Sequence, residues 1–76
     1  MGIIQMNKIS QKTIEQSGKG NRTTEHVHFE REGNYYIASW NSKGEVCVFM
    51  ANAEGRITNW GEVFDDWANS CKHLFN

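Results

Sequence analysis

Proline is absent from this 76-residue chain, cysteine occurs only twice, and net charge is almost absent at −1. Each absence excludes something. With no proline, and with glycine sitting mostly at turn positions, the composition is that of a folded chain rather than a disordered one. No stretch approaches the ~20 apolar residues of a membrane-spanning helix. The start, residues 1–6, is too short for a secretory signal and has no positively charged lead. Gly2 opens like a myristoylation site, but Met6 stands where serine or threonine is required. A cytoplasmic protein is expected, with no membrane contact and with Cys47 and Cys71 reduced. In that setting the sequon at Asn21, Arg22 and Thr23 carries no weight. A net charge near zero provides no overall field to draw the chain to nucleic acid or an acidic bilayer.

What is present is a generous aromatic supply, 12% of the residues. A chain this short buries only about 60% of the surface that its unfolded form exposes, so one marginal domain is expected, and oligomerisation is a common remedy. Residues 25–31, 35–40, 45–50 and 56–59 have strand-like composition. Between them lie turn signals at Gly33-Asn34, at 41–44 and at 52–55. Residues 1–9 are apolar enough for a first strand, and 10–24 read as a mobile polar loop around Gly18, Lys19 and Gly20. A meander over 25–59 then precedes a helix over 60–75. Asn59 is its expected N-cap, with Glu62 completing a capping box, and Lys72 and His73 lie near its negative end. Phe64, Trp67, Cys71 and Leu74 recur at helical spacing as its apolar stripe. The expected fold class is α+β, an antiparallel sheet of four to five strands with one C-terminal α-helix packed on one face.

Folding the hairpins at those turns puts Val27, Phe29, Tyr36, Ala38, Trp40, Cys47 and Phe49 on one face. The other face receives Tyr35, Ile37, Val46, Val48, Met50 and Ile57, beside His26, His28 and Glu30. A one-residue slip in any turn would exchange the faces of one strand. This second face is too apolar to stand in water. Tyr35, Ile37, Val46, Val48, Met50, Ile57, His26 and His28 are therefore the candidate partner-binding residues. Either a partner protein or a second copy of the chain, as a homodimer, is expected to cover them, unless the N-terminal segment does so.

No catalytic constellation emerges. His26 and His28 share a face, but Cys47 maps to the opposite one, and Cys71 and His73 diverge on the expected helix, so no zinc tetrad converges. Either cysteine with His73 supplies residue types for nucleophilic catalysis without an arrangement. Asp65 and Asp66 suit a helix N-terminus better than an acid–base pair. No enzyme, cofactor or metal is expected. The function that remains is a small non-enzymatic module that occludes a partner protein, physically like phage- or plasmid-type anti-defence inhibitors and immunity proteins. Sheet-based binding of single-stranded nucleic acid is the alternative, with Tyr35 stacking bases and Lys8, Lys12, Lys19, Arg22 and Arg31 tracking phosphates. An accessory subunit of a larger complex is a third reading.

Overall fold

A computed structural model describes residues 5–16, 22–40 and 43–75, with the side chains at 15, 16 and 22 left aside. Five antiparallel strands form a meander in the order β1-β2-β3-β4-β5. They are β1 (Asn7–Gln16), β2 (Arg22–Arg31), β3 (Asn34–Trp40), β4 (Val46–Ala51) and β5 (Ile57–Asn59), and a 3-10 helix (Asp66–Leu74) follows. No helix among the described residues is long and apolar enough to cross a membrane.

The first correction concerns residues 10–24, expected as a loop. Ser10–Gln16 and Arg22–Thr24 are paired strand, with Gln11 opposite Val27 and Ile14 opposite Thr24. Alternating Ile9, Gln11 and Thr13 with Ser10, Lys12 and Ile14 builds a largely polar, two-sided ribbon, which hydrophobic patterning does not reveal. Asn7 and Lys8 pair at the start of the same strand, and a bulge lies between Lys8 and Ser10. Ile3, Ile4 and the Gly18–Gly20 centre of the expected loop lie outside the described residues.

The turns set the faces. Glu32 and Gly33, with φ of 52° and 82°, form the two-residue β2–β3 turn. Positive φ at both central residues matches the primed turns that suit strand twist. Phe29 therefore pairs with Tyr36, and Val27 with Ala38. The expected Gly33-Asn34 turn displaces this register by two residues, which leaves the faces unchanged. At the β3–β4 connection the displacement is one. Trp40 pairs with Val46, so Glu45 belongs to the loop and not to the strand. Every β4 side chain changes face. Val48 pairs with Ala38 and Met50 with Tyr36 on the core face, while Cys47 and Phe49 pair with Ser39 and Ile37 on the far face.

The exchange is physically favourable. It seats the β-branched Val48 in a core with Val27, Phe29, Tyr36 and Ala38, closed by Ala68 and Cys71. Met6, Val46, Val63, Trp67, Leu74 and Phe75 pack around it. Trp67 stands edge-on to Tyr36 at 5.0 Å and to Phe29 at 6.3 Å between ring centroids. Fully burying one such side chain contributes ~1.5–3 kcal/mol before entropy is subtracted.

The helix is the second correction. It is a 3-10 helix that begins at Asp66, not an α-helix from residue 60. Asn59 is the last residue of β5, and its Oδ1 accepts the Gly61 N–H at 2.7 Å. Its capping chemistry is thus spent on a turn. Residues 60–65 form an irregular strap with a bend at Gly61, tied to the outer edge of β4 where the Val63 N–H donates to the Val48 carbonyl at 2.8 Å. The remaining helix winds three residues per turn, and Ala68, Cys71 and Leu74, three apart, form its inner row. Phe64 falls outside that row and is exposed.

Candidate interaction surface

The far face is closed largely by the chain itself. Between β4 and β5, Asn52 organises a tight turn. Its Oδ1 accepts the N–H groups of Glu54 (3.1 Å) and Arg56 (2.9 Å), and its carbonyl accepts the Gly55 N–H (3.1 Å). Gly55, at φ 86°, lies against His28: a Cβ there would meet the ring Nδ1 at 3.3 Å. His28 Nε2 is 3.0 Å from the Asn52 carbonyl, which can only accept, so Nε2 carries the donated hydrogen. Tyr35 lies beside it at 5.7 Å. His28 and Ile37 are only 6% and 3% exposed. A small cavity of about 140 Å³ lies on this face between β1 and the turn, bordered by Ser10, Lys12, Ile14, His26 and Glu54. Burial lowers the His26 pKa.

The eight expected partner-binding residues are therefore dispersed. Val46, Val48 and Met50 are on the core face, and Val48 is wholly buried there. His28 and Ile37 are buried on the far face, while His26, Tyr35 and Ile57 are only partly accessible. The basic residues are dispersed as well. Lys8 Nζ donates to Gln11 Oε1 at 2.6 Å. Arg31 pairs with Glu32 at 3.0 Å and lies 4.4 Å over the Trp67 ring. Lys12 borders the small cavity, and Lys19 and the Arg22 side chain lie outside the described residues. Among the described residues no three of His, Cys, Asp and Glu come together as metal ligands.

The most exposed apolar side chains among the described residues are on the strap of residues 60–65. Trp60 is 73% exposed and Phe64 83%. Trp60 reaches around the β4 edge onto Phe49, 5.5 Å between centroids, while Val63 tucks into the core behind it. Phe64 borders a groove of about 600 Å³ with Trp40, Val46 and the amines and carboxylates of Lys43, Lys72, Glu45 and Glu62. Glu62, Asp65 and Asp66 are exposed along the strap and its exit, so the strap itself is aromatic and acidic, whereas the groove beside it has Lys43 and Lys72 as well as Glu45 and Glu62. The Asp65 carboxylate accepts the indole N–H of Trp67 at 3.1 Å, which fixes the junction of strap and helix. Sequence reasoning placed Phe64 in the core and overlooked Trp60. The available signal was Gly61 and β-branched Val63 inside the supposed first helical turn, both poor helix formers. No protein-family model, curated protein or solved structure matches the chain.

Proposed function

We propose that this protein is a non-enzymatic module that binds and occludes a partner protein through the strap of residues 60–65 and the groove beside it. Two large aromatic side chains held open on an ordered edge carry this reading. Exposed aromatics at the centre of an interface are the usual anchors of protein binding. The flanking carboxylates of Glu62, Asp65 and Asp66 select a partner whose apolar patch has a basic rim. Small inhibitors of host defence and immunity proteins act in this physical manner.

Affinity capture with the wild-type chain, Trp60→Ala/Phe64→Ala and Tyr35→Ala tests the reading. A protein retained by wild type and by the Tyr35 variant but lost with the strap variant is the expected outcome. Retention by the strap variant and loss with Tyr35→Ala would return the site to the far face. Tight, salt-sensitive binding of labelled single-stranded DNA or RNA would replace protein occlusion with nucleic-acid binding.

A further inference from the structure

We propose that the outer edge of β1 is a self-pairing edge, at which two copies of the chain join antiparallel about a two-fold axis through Thr13 to make one continuous sheet. The two edges of the sheet are finished differently. On one side, β5 closes β4 at Met50 and Ala51, and the strap closes it at Val48. On the other side β1 pairs with β2 alone, and among the described residues no strand lies beyond it. A terminal strand in an antiparallel sheet directs alternate backbone N–H and C=O groups outward, a ready template for another strand. Proteins blunt such edges by shortness, proline, bulges or charge. β1 is ten residues long and has no proline, its bulge disturbs only the Lys8–Ser10 end, and from Ser10 to Ile14 it has one charged residue, Lys12. From Ser10 to Gln16 the register with β2 is regular.

Self-complementarity selects a second copy as the occupant. A two-fold axis perpendicular to the sheet preserves the faces, so residues of the same parity oppose each other. The midpoint of Ser10–Gln16 is Thr13. An axis there sets Thr13 against the partner's Thr13, a favourable cross-strand pair. It sets Lys12 against the partner's Ile14, so the two lysines do not oppose each other directly. Ile14 is exposed in the single chain and gains the aliphatic stem of the partner's Lys12 as cover. Moving the axis to Lys12 would oppose two lysines directly, which is destabilising. The strap lies at the other edge of each sheet and stays open in such a dimer.

Sedimentation of wild type beside Ile14→Lys and Ile14→Glu tests both the pairing and its register. Ile14 is exposed, so both variants keep the fold, which circular dichroism verifies. The lysine meets the partner's Lys12 twice by symmetry, and the glutamate meets the same lysine favourably. Wild type and Ile14→Glu are expected at twice the 8.8 kDa chain mass. The dissociation constant of Ile14→Lys is expected to be at least about tenfold weaker than that of Ile14→Glu. A wild-type chain that stays monomeric at millimolar concentration overturns the proposal, and so does equal dimerisation of the two variants.

Discussion

The two faces of this sheet are both apolar, yet they are closed by different means. The core face is covered by the 3-10 helix and its flanks, which bring Ala68, Cys71, Trp67 and Leu74 onto Phe29, Tyr36 and Val48. The far face is covered in part by a tight turn, with Gly55 against His28, and in part by the strap, whose Trp60 lies on Phe49; His28 and Ile37 are almost wholly buried. A helix buries area through many side chains, whereas a turn buries it through backbone geometry and one hydrogen-bonded histidine. An apolar second face therefore does not by itself call for a partner. Among the described residues the most exposed aromatic side chains, Trp60 and Phe64, lie on the edge strap.

That contrast predicts unequal losses. Phe29→Ala on the core face should cost about 3–5 kcal/mol, comparable with the whole stability of a domain this small. Denaturant titration checks it, and a loss below that of any far-face change would reverse the ranking of the faces. On the far face Gly55→Ala is the sharpest probe. Gly55 and Gly44 both have positive φ, at 86° and 79°, but only Gly55 has a ring against it. Alanine at either position costs about 1–2 kcal/mol in backbone strain. The Gly55 variant should lose more than the Gly44 variant and should expose His28 to exchange by NMR.

The faces should also separate by pH. Burial pushes the Cys71 thiol up to about 11, against a smaller opposing pull from Arg31. Its raised pKa means that folding favours the protonated thiol. That stability is complete below the ordinary thiol range and is lost as pH rises through about 11. Burial moves His26 the other way, below 6.5, so folding favours the neutral ring. Its contribution is present above 6.5 and is lost as pH falls through the lowered value. Thermal melts should show an alkaline limb that Cys71→Ala removes and a mild acid limb that His26→Gln removes. The smallest stability change is expected at the strap, where Trp60→Ala or Phe64→Ala should stay within about 0.5 kcal/mol, as exposed positions do.

The strands of the meander and the core residues of β2 and β3 were legible in the sequence because turn chemistry and period-two patterning agree there. Val27, Phe29, Tyr36 and Ala38 share a face as their spacing requires. β4 was not legible, because a loop of four or five residues fits Asn41 to Glu45 equally well, and a single residue reverses Val48 and Phe49. The β1–β2 ribbon was hidden by its polar residues. The helix start was misplaced because asparagine serves an N-cap and a side-chain turn with the same acceptor oxygen, and here Asn59 serves the turn. With that error Phe64 moved from core to surface, and the candidate site moved from the far face to the strap.

Photo-cross-linking tests the central claim, that the strap rather than the far face meets the partner. A benzophenone side chain is placed at Phe64 in one chain and at Tyr35 in another, and each is irradiated in cells that express it. A covalent adduct with one other protein from position 64, and none from position 35, is the predicted result. An adduct from position 35 alone would contradict it.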